Sequence, residues 1–325
     1  MHISRSNKPL VIVTMGDPSG IGPEVTMKAL ASPEVKGLAN FLVIGDMAVL
    51  KKTAHDTGSR LPSHVLDMAN VSIKGHVYGK QSALFGKASI QYIDMALELA
   101  AAGETAAIVT APVSKTSIKK TGIEDFQGHT EYIAGRFKVK KFAMMFAGSG
   151  LKVALVTRHV ALKDVPGILT KDTICDTIKL THECLKRRYG IKSPRIAVCG
   201  LNPHAGENGV FGNEESKLIT PAVKKARSFA GNVIGPVPAD VAFYDAMHKR
   251  YDAVVAMYHD QGLAPFKMLC FDSGVNFTLG LPFVRTSPDH GTAFGIAGKG
   301  KADPRSMIEA IKLACRLQKC SPKIN

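Results

Sequence analysis

Residues 11–30 read VIVTMGDPSGIGPEVTMKAL and place a short apolar run directly before a Gly/Pro-rich turn and a helix-forming segment. The same alternation recurs downstream, where FLVIGD (41–46) precedes MAVLKKTA (47–54) and RIAVCGLN (195–202) precedes NEESKLITPAVKKARSFA (213–230). Apolar runs that alternate with helical segments are typical of parallel strands covered by helices on both faces. The sequence therefore predicts an α/β protein with a doubly wound, largely parallel sheet.

One segment departs from this alternation. Residues 142–160, FAMMFAGSGLKVALVTRHV, contain two apolar runs joined by Gly148-Ser149-Gly150. That spacing predicts a β-hairpin, so we expect a mixed sheet. The chain has 325 residues, a length typical of about two domains. It has no Pro/Ser-rich linker, so we expect two domains between which the chain crosses more than once.

The amino-acid composition indicates which kinds of ligand the protein binds. The chain is 45% hydrophobic and 21% charged, as in a folded globular protein. Its net charge of +15 favours anionic ligands. However, the lysines are scattered, Trp is absent and aromatic residues make up 6%. The sequence therefore predicts an anionic small molecule and a dinucleotide as partners, and not nucleic acid.

Location is predicted from what the sequence lacks. No apolar run approaches the roughly 18–20 residues that span a bilayer, and the first apolar stretch has no cleavage site after it. We expect a cytoplasmic protein with no membrane partner. The six cysteines form no CxxC pair, which indicates reduced thiols; they are Cys175, Cys184, Cys199, Cys270, Cys315 and Cys320.

Three of the eleven histidines stand at the ends of predicted buried strands. His159 ends KVALVTRH, His204 follows RIAVCGLN, and His259 ends YDAVVAMYH. Ligands of open α/β sheets bind at the carboxyl ends of strands. Three imidazoles suit zinc, cobalt or nickel and leave positions for a substrate. The residues predict a shared metal site, with three unrelated strand-end histidines as the alternative.

Two glycine-rich loops are candidate anion sites. Residues 16–24, GDPSGIGPE, open a helix but match neither a dinucleotide fingerprint nor a P-loop. Asp46 resembles a ribose-binding acid by position, but without that fingerprint we take it as structural. Residues 289–300, DHGTAFGIAGKG, form either a backbone-lined dinucleotide pocket or a surface loop. Arg285, near this loop, offers a bidentate fork to a phosphate or carboxylate.

Ordered motifs indicate a family. The chain resembles the 4-hydroxythreonine-4-phosphate dehydrogenases of pyridoxal phosphate biosynthesis. The matching segments are VTMGDPSGIGPEV (13–25), VTAPVSK (109–115), GHTEYIA (128–134), KVALVTRHVALKDV (152–165), GLNPHAGE (200–207), PADVAFYDA (238–246), YHDQGLAPFK (258–267) and NFTLGLPFVRTSPDHGTAFGIAGKGKADP (276–304). They extend over nearly the whole chain and are too long and unusual for chance agreement.

The resemblance implies an isopropylmalate-dehydrogenase-like fold with two α/β domains, a cleft between them and mixed, mostly parallel sheets. The first domain would comprise residues 1–135 plus 281–325. The second, residues 136–280, would carry a homodimer interface and most metal ligands. The resemblance also implies that the active site lies at that interface, with His159, His204 and His259 as ligands of zinc, magnesium or cobalt.

Further roles are carried over from the family residue by residue. The implied substrate-binding residues are His129, Thr130, Lys267, Asn276 and Arg285. Asp240 and Lys267 are the implied proton-transfer residues, and the sequence does not choose between them. The resemblance also implies NAD or NADP as the cofactor, held at His290, Gly291, Thr292 and Ala293.

The implied reaction is metal-dependent oxidation of 4-phosphohydroxy-L-threonine to a β-keto acid that decarboxylates to 3-amino-2-oxopropyl phosphate. This chain has Arg158 where the family commonly has Thr, and Val241-Ala242 where it has Thr-Leu. These departures leave a second substrate class open. Related enzymes act on four-carbon sugar-acid phosphates, 4-phospho-D-erythronate or D-threonate 4-phosphate. Two other classes fit less well. An acyltransferase, which shares the fold, has no use for the three strand-end histidines. A nucleic-acid-binding module has no use for the glycine-rich loop at residues 289–300.

Overall fold

The computed structural model describes residues 8–318, which divide into two compact units. The first unit contains the chain up to residue 138 and again from residue 282, and the second contains residues 139–281. The junctions expected from the sequence followed residues 135 and 280. Cys320 lies outside the described residues.

The strands of the sheet are β1 (Leu10–Thr14), β2 (Asn40–Gly45), β3 (Val65–Asp67), β4 (Ala107–Thr110), β5 (Ala143–Gly148), β6 (Leu151–Leu155), β7 (Ile196–Cys199), β8 (Val233–Val237), β9 (Ala253–Ala256), β10 (Val275–Leu279) and β11 (Val284–Pro288). The α-helices are α1 (Gly22–Ala31), α2 (Met47–Thr57), α3 (Ala83–Ala101), α4 (Lys115–Lys119), α5 (His129–Arg136), α6 (Val165–Ile168), α7 (Lys171–Arg187), α8 (Thr220–Ala226), α9 (Ala239–Met247), α10 (His259–Cys270) and α11 (Arg305–Gln318).

The first unit has the strand order β3-β2-β1-β4-β11, and every neighbouring pair is parallel. Val11, Ile12 and Val13 of β1 have no exposed surface. A strand with helices on both faces buries every side chain, which is why its sequence is continuously apolar. Pro23 lies in the first turn of α1, where a missing N–H costs no helical hydrogen bond.

The second unit has the strand order β10-β5-β6-β9-β7-β8. The pairs β10–β5 and β5–β6 are antiparallel, and the remaining pairs are parallel. Ser149 and Gly150 join β5 to β6 with left-handed φ values of 46° and 85°, the geometry of a two-residue hairpin. The predicted hairpin and the predicted mixed, mostly parallel α/β architecture are confirmed.

Two further expectations concern cysteines and membranes. Cys175, Cys184, Cys199, Cys270 and Cys315 are buried free thiols. Burial raises the pKa of Cys199 to about 12, which keeps this thiol protonated. Among the helices within residues 8–318, none combines the length and the apolar character needed to cross a membrane.

Candidate active site

Two of the three strand-end histidines lie side by side in the second unit. His159 follows β6 and His259 follows β9, and these are neighbouring parallel strands. Their imidazole ring centroids are 5.7 Å apart. Two imidazoles that share an ion at about 2.1 Å from each nitrogen have centroids roughly 5 Å apart. The pair is therefore close to the spacing that a shared divalent ion requires.

Hydrogen bonds orient the His259 side of this pair. His259 Nδ1 donates to Asp260 Oδ1 at 2.7 Å, which leaves Nε2 available to a ligand. Gln261 Oε1 accepts from the Met257 N–H at 2.7 Å, and Gln261 Nε2 donates to the Gly200 carbonyl at 2.6 Å. Gln261 thus fixes the end of β9 to the loop that follows β7.

His204 lies in the 203–209 loop after β7, and its side chain is exposed. Residues 204–208 have consecutive φ values of 52°, 51°, 81°, 41° and 54°, all in the left-handed region. Within residues 8–318, no three His, Cys, Asp or Glu side chains are close enough to hold a metal. A single chain therefore brings His159 and His259 together, but not His204.

A buried carboxylate holds the His204 loop. Glu215 is 5% exposed, and its Oε1 accepts from the backbone N–H groups of Leu201 and Asn202, both at 2.8 Å. A β-carbon on Gly206 would lie 2.6 Å from Glu215 Oε2, so this position has no room for a larger residue. Left-handed backbone costs roughly 1–2 kcal/mol per non-glycine residue, and these hydrogen bonds offset part of that cost.

The first unit contains a buried guanidinium. Arg285 on β11 is 1% exposed, and its Nε and Nη2 donate to Thr110 Oγ1 at 3.2 and 2.6 Å. Burial lowers the pKa of Arg285 to about 9, while the nearby Glu131 carboxylate acts in the opposite direction. Arginine nevertheless stays charged at neutral pH. A cation this deeply buried favours an anionic ligand beside it.

The start of α5 adds to this anion-binding cluster. Burial, followed by the charges of Arg285 and Lys115, holds the pKa of His129 well below 6.5, so its imidazole is neutral at pH 7. His129 Nε2 is buried without a hydrogen-bond partner among the described residues. Thr130, which follows it, is 2% exposed. Backbone N–H groups at a helix N-terminus also favour an anion.

The 289–302 loop is held by neighbouring backbone. The Thr292 carbonyl accepts from the Ile21 N–H at 3.0 Å, and His290 Nδ1 contacts the Gly291 carbonyl at 3.1 Å. A β-carbon on Gly298 would lie 2.4 Å from the ring of Tyr78, so only glycine fits there. Ala293 has a left-handed φ of 41°. His290, Gly291, Thr292 and Ala293 thus form one turn, where backbone and side-chain groups lie together.

Asp46 has an internal role. Its carboxylate has no exposed surface and accepts hydrogen bonds from the Tyr92 hydroxyl and, at 2.5 Å, from the Asn70 N–H. A carboxylate used in this way inside the fold does not reach a ribose. This agrees with the structural interpretation given to Asp46 from the sequence.

The candidate proton-transfer residues lie in the second unit. Asp240 is exposed in the first turn of α9. Lys267 on α10 has its Nζ 5.4 Å from the centroid of the Phe271 ring. Asn276 on β10 has a buried Oδ1 without a hydrogen-bond partner among the described residues. An amide oxygen in that state is available to a donor on a ligand.

The departures from the family pattern differ in their surroundings. The Arg158 guanidinium lies 4.6 Å from the centroid of the Phe142 ring. Val241 is 44% exposed, whereas Ala242 has no exposed surface and packs into the core of the second unit. The Val241 side chain is therefore accessible to solvent, whereas Ala242 acts through packing.

Sequence reasoning missed several residues of these sites. Thr110 and Glu131 interact with Arg285. Glu215 and Gln261 bind backbone groups near His204 and His259. Each lies far from a partner in sequence or inside an ordinary helical pattern. Three of them lie in or next to quoted motifs, VTAPVSK, GHTEYIA and YHDQGLAPFK. The unusual polar residues of these motifs were the signal that the sequence offered. The sequence did not show which side chains pair across the fold.

The comparisons with known proteins agree on one family. Residues 36–314 match the family model described as pyridoxal phosphate biosynthetic protein PdxA. A 4-hydroxythreonine-4-phosphate dehydrogenase from Desulforapulum autotrophicum is 46% identical and covers 95% of both chains. A D-threonate 4-phosphate dehydrogenase from Cupriavidus necator is 43% identical over 95% of this chain and 97% of its own.

A solved structure extends the agreement to three dimensions. The 4-hydroxythreonine-4-phosphate dehydrogenase of Klebsiella pneumoniae has a TM-score of 0.89 and 38% identity, covering 97% of this chain and 99% of its own. An α/β fold with imidazoles past neighbouring strand ends, together with relatives named dehydrogenases, defines an α/β oxidoreductase. More narrowly, the chain belongs to the PdxA family of pyridoxal phosphate biosynthetic proteins.

Proposed function

We propose that this protein catalyses the metal-dependent, NAD(P)-linked oxidation of 4-phosphohydroxy-L-threonine to a β-keto acid. Loss of CO2 from that acid gives 3-amino-2-oxopropyl phosphate. The observation that carries the proposal is the His159–His259 pair, whose imidazole ring centroids are 5.7 Å apart. The proposal is supported by relatives that are named as dehydrogenases of this substrate. We place the reaction in the cytoplasm.

The metal would be held by His159 and His259 of one chain and His204 of a second copy. The donor set fits, since neutral imidazoles suit zinc or cobalt and His259 already has an orienting carboxylate in Asp260. When bound, a divalent ion lowers the pKa of a substrate alcohol and stabilises the negative charge that develops on its oxygen. A ligand from a second copy accounts for the separation of His204 within one chain.

The surface of the second unit supports a homodimer. Of the 17 large hydrophobic side chains that are exposed among residues 8–318, 13 belong to the second unit. They include Met268, 87% exposed, Phe271, 73% exposed, and Val210, 72% exposed. An excess of exposed apolar side chains is typical of an association surface. Val210 directly follows the 203–209 loop, so a second copy that covers Val210 would lie next to the loop that carries His204.

The phosphate group of the substrate would bind in the first unit. Arg285 supplies a charge-assisted fork, Lys115 lies nearby, and the start of α5 presents His129 and Thr130. Neutral His129 can donate to a phosphate oxygen without an added charge. These contacts would orient the phosphate end of the substrate. Lys267 and Asn276 are the substrate-binding residues that we propose within the second unit.

The dinucleotide would bind at residues 290–293. The backbone of this turn is held in place by its neighbours, and that supports the assignment because a fixed backbone can contact a cofactor closely. When bound there, NAD or NADP would supply the hydride acceptor for the oxidation. Asp240 or Lys267 would take the hydroxyl proton, and the same group could return a proton to the carbon that loses CO2.

Mixed dimers give the sharpest test. In a dimer of one His159→Ala chain and one His204→Ala chain, one site lacks two ligands and the other keeps all three. Each variant alone should lose metal and about 1000-fold or more in kcat, since the ion supplies several kcal/mol. Unfolding and refolding the two variants together should restore roughly a quarter of wild-type NAD reduction, the share expected for random pairing in a closed dimer. No restoration, or full activity in either single variant, would contradict the shared site.

A second substrate is favoured by one relative and one residue. The Cupriavidus necator relative is named for D-threonate 4-phosphate, and Arg158 adds a cation close after β6. Oxidative decarboxylation of D-threonate 4-phosphate or 4-phospho-D-erythronate would use the same groups. Comparing kcat/KM for the amino acid phosphate with that for each sugar-acid phosphate decides the substrate. A preference of at least about tenfold, or 1.4 kcal/mol, would assign it.

A further inference from the structure

The GDPSGIGPE motif, residues 16–24, matches neither the dinucleotide-binding fingerprint nor the P-loop. The structure shows which residues the motif contacts. Residues of the motif and Lys28, in the last turn of α1, contact the 289–302 loop near both of its ends. All of these residues belong to the first unit. The motif therefore acts on the loop that carries the proposed cofactor turn.

The first contact fixes the proposed cofactor turn itself. The Ile21 N–H donates to the Thr292 carbonyl at 3.0 Å. A β-carbon on Gly20 would lie 3.0 Å from both the Thr292 carbonyl oxygen and the Thr292 β-carbon. This close approach favours glycine at position 20, and the hydrogen bond sets the position of Thr292 relative to Ile21.

The second contact fixes the far end of the loop. Lys28 Nζ donates to the carbonyls of Gly300 at 2.9 Å and Ala302 at 3.0 Å. Glu24 Oε1 accepts from the Ala302 N–H at 3.0 Å and pairs with Lys28 Nζ at 2.6 Å. Glu24 and Lys28 lie one helical turn apart on α1. Together they bind three backbone groups of a segment about 270 residues later in the chain.

Net stability does not account for this arrangement. Glu24 has no exposed surface, and its Oε2 has no hydrogen-bond partner among the described residues. Burying a carboxylate is costly, and apolar residues of similar volume often stabilise a fold as well as a buried ion pair does. What an ion pair adds is direction, because its hydrogen bonds fix backbone groups in one geometry.

We propose that Glu24 and Lys28 are positioning residues that hold the 289–302 loop in the conformation that binds the dinucleotide. The inference rests on the proposed function, because residues 290–293 of the same loop form the proposed cofactor turn. Its consequence is selective: the pair sets the affinity for the dinucleotide, and not the affinity for the phosphorylated substrate.

The test uses the full-length protein and two substitutions. Lys28→Met keeps the length of the side chain and removes its donors, while Glu24→Gln keeps an acceptor and removes the charge. For Lys28→Met we expect the KM for NAD or NADP, whichever the wild type uses, to rise about tenfold or more through loss of charged hydrogen bonds. The KM for the four-carbon phosphate should stay within about twofold, and Glu24→Gln should have a smaller effect of the same kind. Lys28→Arg should recover most of the loss.

A second measurement does not depend on turnover. Hydrogen exchange of the 289–302 amides, without any ligand, should be faster in Lys28→Met than in wild type, because the loop opens more readily. The matched control is Glu34→Gln, which breaks the exposed 2.8 Å pair between Glu34 and Lys312 near the end of α1. That variant should leave both the exchange rates and the KM for the dinucleotide unchanged.

The outcomes separate the two proposals. If the wild type reduces NAD or NADP but Lys28→Met keeps its KM for the dinucleotide, the positioning role is wrong and the proposed function stands. An equal rise in the KM values of both substrates would also overturn it, because that result reports general loosening. If the wild type reduces neither dinucleotide with any of the three phosphates, the proposed function fails on its own.

Discussion

The two units differ in the charged residues that they bury and the apolar residues that they expose. In the first unit, Asp17, Glu24, Asp46 and Arg285 are buried, and each is bound by groups of the same chain. Most of the exposed large apolar side chains among residues 8–318 belong to the second unit, which also exposes the imidazole of His204. The first unit builds its candidate sites from its own residues, whereas the second exposes groups that a further copy of the chain would cover. Substitutions in the two units should therefore fail in different ways.

The strongest test of this contrast is to charge the apolar surface of the second unit. We expect Met268→Glu combined with Phe271→Glu to give a folded monomer that has lost about 1000-fold or more of its NAD(P)-reducing activity, because the metal site is left incomplete. Sedimentation velocity and circular dichroism report the assembly and the fold. Ile73→Glu charges an exposed apolar residue of the first unit and should change neither quantity. A fully active monomer would disprove a shared site.

The buried acid Asp17 gives a pH-dependent effect confined to the first unit. Burial raises the pKa of Asp17 from 3.8 to about 6. The unfolded chain releases this proton at lower pH than the folded chain, so the folded state loses stability as pH rises from about 4 to about 6, by about 3 kcal/mol in total. Asp17→Asn keeps an acceptor for the Ser19 N–H and removes this dependence.

Urea unfolding of wild type and Asp17→Asn should therefore differ little at pH 4. The variant should be more stable by about 3 kcal/mol at pH 7. Asp164→Asn, at an exposed position of the second unit, should show no such divergence. A constant difference between Asp17→Asn and wild type across the pH range would show that Asp17 keeps its ordinary pKa in the folded protein.

Arg285 should show opposite effects on binding and on stability. Arg285→Met should weaken the binding of inorganic phosphate and of the phosphorylated substrate about 30- to 100-fold, since charged hydrogen bonds contribute about 2–3 kcal/mol. The ligand-free protein should be as stable as wild type or more so, because a buried charge has been removed. Calorimetric titration and urea unfolding measure the two quantities. Arg305→Met removes an exposed arginine of the same unit and should leave phosphate binding intact.

The smallest predicted effect concerns the His204 loop. Glu215→Ala removes the acceptor of the Leu201 and Asn202 N–H groups, which should weaken metal binding about tenfold, as is typical when a supporting residue is lost. Competition with a chelator measures the affinity. Glu214→Ala is the matched control, because this neighbour accepts from the Asn202 side chain and not from the loop backbone. Equal losses in both variants would argue against a special role for Glu215.

Much of the architecture followed from local patterns. Continuous apolar runs gave the parallel strands, and Gly148-Ser149-Gly150 gave the hairpin, because both depend on backbone preferences within a few residues. The placement of His159 and His259 after strand ends also followed, since strand ends can be read from hydrophobic periodicity. The side chains that pair with Arg285, and the Glu215 carboxylate that holds the His204 loop, could not be predicted this way. These groups are close to their partners in space but distant from them in sequence.

The sequence by itself determined the fold class and the family and supplied the candidate site residues, since each is encoded in short, ordered motifs. The tertiary structure decided how those residues are used. It paired His159 with His259 and left His204 apart, buried Asp46 in an internal role, and joined Glu24 and Lys28 to the 289–302 loop. The physical reason is that hydrogen bonds, burial and charge pairing act over distances of a few ångströms, and only folding brings such distant residues that close.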